Sequence, residues 1–334
     1  MHTLVAGGAG FVGSHLVDHL LDLDDTVVVI DSYLTGKPHN LAHRNADGRL
    51  TVVEGDVTSD HDLLRVGGGF HRVYHLASPA SPVGYGLYPL ETLRVNSVGT
   101  WNLLDLARAN DARFVVTSTS EVYGEPLVHP QREDYWGNVN PIGPRSCYDE
   151  GKRFTESLTV SYRGQHGLDC RIARLFNTYG PRMDPGDGRL VPNLLAQALR
   201  GEPLTIYGDG SQTRSLCFVS DTVSALHALM EAPGQGGEVF NLGNPDEYTV
   251  LQLAHEIIRV TRSRSTVQYR PLPVDDPTRR RPDISKAVER LGWQPSIPLS
   301  VGLDRTLQAL AGQKVPEAVA EPDPQPSVAR GARR

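Results

Sequence analysis

The stretch Leu4-Val5-Ala6-Gly7-Gly8-Ala9-Gly10-Phe11-Val12-Gly13 decides the fold, because it joins a short apolar run to a glycine-rich turn. Its glycines at 7, 10 and 13 have the spacing G-x-x-G-x-x-G, which differs from the commoner G-x-G-x-x-G. The amphipathic run over residues 14–23 then predicts a helix. A strand, a glycine turn and a helix in this order aim backbone N–H groups and a helix N-terminus at a pyrophosphate. The stretch therefore predicts a dinucleotide-binding unit.

A second apolar run, residues 26–30, ends in Asp31. An acidic residue at this point accepts hydrogen bonds from the ribose hydroxyls of an adenosine. It also repels a 2′-phosphate, so we predict NAD as the cofactor in preference to NADP. Glycines that only serve a tight turn are the competing interpretation. The ordered succession of strand, turn, helix, strand and acid disfavours it.

Strands and helices continue to alternate along the chain. We predict strands at 50–53, 72–78 and 113–117, and a helix at 95–110. This alternation indicates an α/β protein with a Rossmann-type, doubly wound parallel sheet that binds ligands at the carboxyl ends of its strands. Glu54-Gly55-Asp56-Val57 forms an acidic loop suited to the adenine edge. Leu76-Ala77-Ser78 ends a strand in small residues that let a cofactor approach.

A candidate catalytic pair stands further along, where Tyr148 and Lys152 are four residues apart and share one face of a predicted helix. A tyrosine is a weak base because its ordinary pKa is about 10. We expect the lysine ammonium to lower that pKa, since an opposite charge favours the phenolate. Thr119 and Glu121 lie in the hydroxyl-rich turn after the fifth strand, where catalytic groups belong.

Composition excludes several other classes. The 334-residue chain has a net charge of −6 and 22% charged residues, which is typical of a protein that does not bind nucleic acid. Cys147, Cys170 and Cys217 are odd in number and lack C-x-x-C spacing, so we predict neither a disulfide framework nor a metal site. No apolar run reaches the roughly 20 residues that span a membrane. We predict a cytoplasmic protein.

The chain resembles the extended short-chain dehydrogenase/reductase superfamily through Gly7, Gly13, Asp31 and the Tyr148/Lys152 pair. A finer resemblance, to the UDP-glucuronic acid decarboxylases, covers residues 2 to about 312. It is carried by His75-Leu76-Ala77-Ser78-Pro79-Ala80-Ser81-Pro82, Glu133-Asp134-Tyr135-Trp136-Gly137, Tyr148-Asp149-Glu150-Gly151-Lys152-Arg153 and Arg280-Arg281-Pro282-Asp283-Ile284.

The resemblance implies a set of site residues. The catalytic residues are Thr119, Glu121, Tyr148, Lys152 and Arg280. The cofactor-binding residues are Gly7, Gly10, Phe11, Val12, Gly13, Asp31, Thr35, Gly36, Asp56, Val57, Leu76, Ala77, Ser78, Ser118, Tyr148, Lys152, Thr178 and Arg189. The substrate-binding residues are Ser81, Arg94, Asn177, Val191, Tyr207, Gln212, Arg214 and Arg280. Arg280 would bind the substrate carboxylate, and Glu121 would handle a proton near C5 or repel the carboxylate.

The implied reaction is NAD-dependent conversion of UDP-glucuronic acid to UDP-xylose. Oxidation at C4 places the C5 carboxylate β to a ketone, so the electrons left by CO₂ enter an enolate before C4 is reduced again. A nucleotide-sugar 4,6-dehydratase is disfavoured because Ser120 stands where those enzymes carry an acidic residue. The open alternatives are a UDP-apiose/UDP-xylose synthase, an oxidative decarboxylase that releases a 4-keto pentose and NADH, and a non-catalytic sensor.

The predicted architecture has two domains. Residues 1–176 and about 215–240 would bind NAD, and a smaller, discontinuous α/β domain of residues 177–214 and 241–312 would bind the UDP-sugar. Residues 315–334, rich in Pro, Ala and Arg, would form a disordered tail. The family also implies a homodimer, formed by helices 95–110 and the helix of Tyr148. We expect cytosolic supply of UDP-xylose, because the sequence starts at the first strand without the membrane stem of lumenal relatives.

Overall fold

The computed structural model describes residues 1–272 and 279–310 and confirms the predicted α/β class. Numbered in chain order, its strands are β1 His2–Ala6, β2 Thr26–Asp31, β3 Leu50–Glu54, β4 Arg72–His75, β5 Arg113–Thr119, β6 Cys170–Leu175, β7 Thr178–Tyr179, β8 Leu204–Tyr207, β9 Thr213–Ser215, β10 Cys217–Phe218, β11 Val239–Leu242, β12 Glu247–Thr249, β13 Val267–Arg270 and β14 Arg279–Arg280.

The α-helices follow the same chain order. They are α1 Phe11–Asp22, α2 Asp60–Leu64, α3 Pro82–Leu87, α4 Pro89–Arg94, α5 Thr100–Ala109, α6 Ser146–His166, α7 Leu190–Arg200, α8 Val219–Glu231, α9 Val250–Thr261, α10 Ser285–Leu291 and α11 Leu299–Leu310. A π-helical turn, Val95–Gly99, joins α4 to α5. The helix predicted at 95–110 therefore begins with one wider turn.

Seven parallel strands form the main sheet in the order β11-β6-β5-β4-β1-β2-β3. The chain runs from β1 outward through β2 to β3 and then crosses back, so that β4 pairs with the other edge of β1 and Ala6 lies beside His75. The direction of winding changes at this point. In open α/β sheets, ligands bind in the crevice at such a switch point. Gly7 and Leu76 follow these two strands and flank that crevice.

Alternating side chains of the strands pack into two separate cores. In β1, Val5 joins one apolar cluster while Leu4 and Ala6 join the other; in β2, Val29 and Ile30 divide in the same way. A strand buried on both faces is apolar throughout, as residues 26–30 predicted. The two cores show that helices cover both faces of the sheet.

Three small sheets accompany the main one: the pairs β10-β7 and β13-β8, and the three strands β12-β9-β14. In the last of these, β9 and β14 run parallel and set Arg214 beside Arg280. The strand predicted at 72–78 ends at His75, so 76–78 lie beyond the sheet, in the crevice. The predicted tail, 315–334, lies outside the described residues. Within the described ranges, no helix has the length and apolar character needed to cross a membrane.

Candidate active site

The glycine-rich turn after β1 is packed so tightly that side chains would collide there. A Cβ on Gly13 would lie 2.1 Å from the carbonyl oxygen of Gly7, and one on Gly7, whose φ is +80°, would lie 2.6 Å from the backbone nitrogen of Ala77. Gly10 is the N-cap of α1 and provides no side-chain cap. The first N–H groups of α1 consequently remain suited to phosphate oxygens, which fits a dinucleotide.

Asp31 ends β2 beside this turn. Its carboxylate accepts hydrogen bonds from the backbone N–H groups of Ala9 and Tyr33, both at 2.9 Å. Burial raises its pKa, and these two hydrogen bonds oppose the shift. Gly36 lies so close that a Cβ there would be 2.6 Å from Oδ1 of Asp31. A carboxylate has about four acceptor positions, so two remain for ribose hydroxyls.

The other predicted cofactor residues follow the carboxyl ends of several strands. Phe11 and Val12 begin α1, Thr35 lies after β2, Asp56 and buried Val57 follow β3, and Leu76, Ala77 and Ser78 follow β4. The guanidinium of Arg189 lies 5.7 Å from the ring centroid of Phe11 and pairs with Asp187. Thr178 bonds to Thr222, at 3.0 Å.

Ser118, another predicted cofactor residue, makes a side-chain hydrogen bond of its own. The hydroxyl of Ser118 donates to Glu156 at 2.6 Å, and Glu156 also accepts from Nε and Nη2 of Arg174, at 2.9 and 2.8 Å. The Ser118 side chain is therefore part of an ion-pair network between β5, β6 and α6.

Strand β5 and helix α6 bring the catalytic candidates together. Tyr148 is 7% exposed and hydrogen-bonds with the side chain of Thr119. Lys152 is buried, and its Nζ donates to the carbonyl oxygen of Thr117 at 2.9 Å and lies 5.9 Å from the Tyr148 ring centroid. Two hydroxyl groups and an amine thus converge at the carboxyl end of β5.

The predicted direction of the Tyr148 pKa shift is wrong in this structure. Burial raises the pKa of Tyr148, and the hydrogen bond with Thr119 only partly opposes that rise. Burial also lowers the pKa of Lys152 to about 7. Attraction between the two groups favours their charged forms, but removal of both groups from water disfavours those forms more strongly.

Glu121 and Arg280 form a bidentate ion pair across the site. Nη1 and Nη2 of Arg280 donate to Oε1 and Oε2 of Glu121 at 2.8 and 3.0 Å, and Nη2 of Arg145 donates to Oε2 at 2.5 Å. Burial opposes ionisation of Glu121, but the charges of Arg280 and Arg145 outweigh it and lower the pKa of Glu121 to about 2. Glu121 is therefore a carboxylate at neutral pH.

The predicted substrate residues fall into two groups. Asn177, Val191, Tyr207, Gln212, Arg214 and Arg280 belong to the segments after β6, where Gln212 donates to the Tyr207 carbonyl and Arg214 is the register partner of Arg280. Ser81 caps α3 and accepts from the backbone N–H of Gly84 at 3.1 Å. Arg94 lies at the end of α4 and is exposed.

Three further residues, which were not predicted from the sequence, also lie at the site. Arg145 bonds Glu121, Tyr85 stacks on Tyr148 with ring centroids 5.1 Å apart, and Asp149 lines a cavity of about 60 Å³ with Glu121 and Arg145. Arg145 and Asp149 flank Tyr148 in sequence, which was the available signal. Tyr85 gave none, because only the folded chain brings α3 to α6.

The described residues include no group of three or more His, Cys, Asp or Glu side chains that could hold a metal ion.

Comparison with known proteins agrees with this geometry. The sequence profile described as "NAD dependent epimerase/dehydratase family" matches residues 3–243. The chain is 53% identical over 305 residues to UDP-glucuronic acid decarboxylase 1 of Arabidopsis thaliana, covering 91% of this chain and 68% of that protein. It is 47% identical over 327 residues to UDP-glucuronic acid decarboxylase 1 of Danio rerio, covering 98% and 77%.

A solved structure extends the likeness to the fold. The dTDP-glucose 4,6-dehydratase of Streptomyces venezuelae, determined with NAD bound, superposes with a TM-score of 0.85 at 30% identity, covering 94% of this chain and 98% of that one. The chain belongs to the NAD dependent epimerase/dehydratase family and, within it, to the UDP-glucuronic acid decarboxylases.

Proposed function

We propose that this protein converts UDP-glucuronic acid to UDP-xylose by NAD-dependent oxidation at C4, loss of CO₂ and reduction at C4. The observation that carries the proposal is the convergence of Thr119, Tyr148 and Lys152 with the buried Glu121–Arg280 pair. The first three residues are suited to oxidation of an alcohol at C4. The ion pair is suited to a substrate whose carboxylate is attached to the next carbon, C5.

The cofactor would be held by residues of the glycine turn and by Asp31. The tight approach of Gly7 to Ala77 and the two remaining acceptor positions of Asp31 fit a pyrophosphate and a ribose. When bound there, the cofactor would supply the hydride acceptor for C4 oxidation and the hydride donor for the later reduction. Asp31 would repel a 2′-phosphate, which favours NAD.

Tyr148 would take the proton of the C4 hydroxyl and later return it. Burial raises the pKa of Tyr148, and the hydrogen bond with Thr119 opposes that rise. Thr119 has a single hydroxyl proton, which it can donate to the phenolate or, once Tyr148 is protonated, to the C4 oxygen as negative charge develops there. Lys152, whose pKa burial lowers to about 7, would be fixed in place by its hydrogen bond to the Thr117 carbonyl and would keep its remaining N–H groups for other partners.

Decarboxylation would be favoured by the charge of Glu121. Because Glu121 is ionised and engaged by Arg280 and Arg145, it is a poor proton donor. Of the two roles considered for it, repulsion of the substrate carboxylate is the one this environment supports. Arg280 donates only two of its five N–H groups to Glu121. The others are suited to the substrate carboxylate, and neighbouring Arg214 to a diphosphate oxygen.

A 4,6-dehydratase activity is disfavoured at Ser120. This residue is 3% exposed and directly precedes Glu121. The side chain offers a small hydroxyl where an acid would be needed to help water leave C6.

We propose a homodimer as the assembly. Exposed apolar side chains occur on α4, the π-helical turn, α5 and α6. Leu90 of α4, Val98 of that turn, Trp101 of α5, and Phe154 and Val160 of α6 are 43–75% exposed. A second copy of this chain would cover them through paired α5 and α6 helices. Because α4 and α5 both pack on α6, these side chains lie on neighbouring helices, and exposed apolar side chains grouped in this way mark an interface.

Two further assignments are proposals of the same kind. Residues 1–176 and about 215–240 would form the NAD domain, and 177–214 with 241–312 the UDP-sugar domain. Cytoplasmic location is supported by cysteine usage, since Cys147, Cys170 and Cys217 are free thiols. Fractionation of the native host, followed by detection of the protein, tests the location.

The activity is tested by incubating purified protein with UDP-glucuronic acid, without added NAD⁺, and following the sugar by proton NMR. We expect UDP-xylose to form with the NAD that the purified protein retains, because hydride returns to the product and NAD⁺ is regenerated in each turnover. Accumulation of a 4-keto pentose with NADH, once NAD⁺ is supplied, would identify an oxidative decarboxylase. Unchanged substrate under both conditions would reject the proposed activity.

A further inference from the structure

Two buried polar atoms beside Tyr148 lack hydrogen-bond partners within residues 1–272 and 279–310. They are Oδ1 of Asp149 and the hydroxyl of Tyr85, and their residues are 7% and 4% exposed. Tyr85 stacks almost parallel on Tyr148, with an interplanar angle of 13°. An unsatisfied buried polar atom costs stability, so the position of Asp149 calls for a functional explanation.

The cavity beside Asp149 supplies a route. It has a volume of about 60 Å³, and Asp149, Glu121 and Arg145 line it together with Asn138 and Asn140. A polar cavity can hold a water molecule when about 10–15 Å³ is open to it. The cavity also reaches Glu121, whose other partner is Arg280. Water in it would connect Asp149 to the end of the site where the substrate carboxylate is proposed to bind.

The reaction requires a proton at this end of the site. Tyr148 returns to the C4 oxygen the proton it removed, so it supplies none to C5. Loss of CO₂ leaves an enolate, and one further proton must be added at C5 in each turnover. This argument rests on the proposed decarboxylase function.

We propose that Asp149 supplies the C5 proton through water in this cavity. The O–H bond of the Asp149 carboxyl breaks, a proton moves along the water, and the enolate electrons form the new C5–H bond. The C4 oxygen becomes a ketone oxygen again. The resulting Asp149 carboxylate regains its proton from solvent before the next turnover.

The neighbouring groups are poorer proton donors. Glu121 is ionised between Arg280 and Arg145, and arginine stays protonated in proteins. The charged groups that act on Asp149 are Glu121, Arg145, Arg280 and Glu150. Burial and then the Glu121 charge raise the pKa of Asp149 to about 7, while the arginines oppose that rise. A donor with a pKa near the working pH transfers protons efficiently.

The substitution Asp149→Asn tests the proposal in D₂O with the full-length protein, NAD⁺ and UDP-glucuronic acid. We expect wild-type protein to place one deuterium at a single C5 position of UDP-xylose. In the variant, we expect turnover to fall on the order of 10²-fold, the usual contribution of a positioned acid. The single deuterium should then be distributed between the two C5 positions. The first formation of NADH, followed at 340 nm in a single turnover, should change less than twofold.

Asp304→Asn is the matched control, because Asp304 is exposed on α11, where its carboxylate accepts a hydrogen bond from Gln308 at 2.8 Å, and it is not among the groups that act on Asp149. It should behave as wild type in all three measurements. Wild-type turnover should also fall as the pH rises above about 7, and the Asp149→Asn residual rate should lack that decline.

The proposal is overturned if Asp149→Asn turns over at the wild-type rate with label at one C5 position. It is equally overturned if NADH formation slows as much as overall turnover, since Asp149 would then only support the fold around Tyr148. Wild-type protein that leaves UDP-glucuronic acid unchanged would reject the decarboxylase function itself. That result is distinct from a failure of Asp149 in an active enzyme.

Discussion

Arg280 donates two hydrogen bonds, of 2.8 and 3.0 Å, to the two carboxylate oxygens of Glu121, although the residues are 159 positions apart in the chain. Glu121 lies in the turn after β5 of the main sheet, and Arg280 lies in β14 of a small sheet. The Glu121 side chain is largely buried, at 13% exposure, and the Arg280 side chain is buried, at 8%. The pair therefore joins the small sheet to the end of the main sheet at the site of the proposed chemistry.

We expect Arg280→Met and Glu121→Gln each to destabilise the protein, because each leaves a buried charge with fewer partners. Removing one member of a buried ion pair costs about 3–5 kcal/mol, and Arg145 should reduce the cost for Arg280→Met by continuing to bind Glu121. The double substitution should cost at least about 1 kcal/mol less than the sum of the single ones. Urea unfolding of the four proteins measures this coupling.

Arg108→Met is the control for that cycle. Arg108 pairs with Asp105 on the surface of α5, with both side chains about half exposed. Such a pair contributes about 0–1 kcal/mol. Strictly additive effects of Arg280→Met and Glu121→Gln would contradict an energetic link between the two sheets.

Asp31→Asn should weaken retention of NAD. The carboxylate accepts the N–H groups of Ala9 and Tyr33 and keeps two acceptor positions for ribose hydroxyls, whereas an amide has only one acceptor oxygen. Loss of a hydrogen bond to a charged group costs about 1.5–3 kcal/mol, which is roughly a tenfold or greater rise in Kd. Isothermal titration of NAD⁺ into cofactor-stripped protein measures it.

Asp24→Asn is the matched control for Asp31. Asp24 precedes β2, at the opposite end of the strand from Asp31, and its side chain is 94% exposed. NAD affinity should be unchanged in this variant. Equal losses in Asp31→Asn and Asp24→Asn would indicate a general charge effect and not a ribose contact.

The proposed dimer predicts that Val98→Glu combined with Phe154→Glu yields a monomer. Both side chains are almost half exposed and apolar, and two carboxylates per copy would be buried without partners on association. Light scattering after gel filtration measures the mass. Leu64→Glu on α2 should leave the dimer intact, since Leu64 is 82% exposed outside these helices. A monomeric wild-type protein would reject the proposed assembly.

Local sequence patterns were sufficient to predict the main sheet and the residues at its carboxyl edge. The glycine spacing at Gly7 and Gly13, the acid at Asp31 and the Tyr148/Lys152 spacing lie within single strand-turn-helix units, where residue spacing determines geometry directly. The resemblance extended this to Arg280, but the contact between Arg280 and Glu121 depends on how distant segments pack.

The pKa of Tyr148 was predicted in the wrong direction for a related reason. Desolvation is a property of the folded environment, and the sequence gives the spacing of Tyr148 and Lys152 without their burial. The same applies to Asp149. The sequence shows Asp149 next to Tyr148. The unpartnered oxygen of Asp149 and the cavity beside it, however, arise only when Glu121 and Arg145 pack against α6.

The raised pKa of Asp149 also predicts how the stability of the protein depends on pH. Its pKa is raised to about 7 in the folded protein, chiefly by burial, whereas an unfolded aspartate has a pKa of about 3.9. The folded state therefore binds a proton that the unfolded state has lost between these values. The associated stability is fully present below about pH 4 and is lost as the pH rises to and through about 7.

Asp149→Asn should accordingly gain thermal stability relative to wild type as the pH increases, because the amide keeps a neutral side chain at every pH. We expect the difference in Tm between the variant and wild type to grow from pH 5 to pH 8 and then to level off above the folded pKa. Thermal unfolding followed by circular dichroism at several pH values measures it. Asp304→Asn, at an exposed position on α11, should show no such trend. A constant Tm difference for Asp149→Asn would mean that Asp149 is already ionised throughout this range in the folded protein.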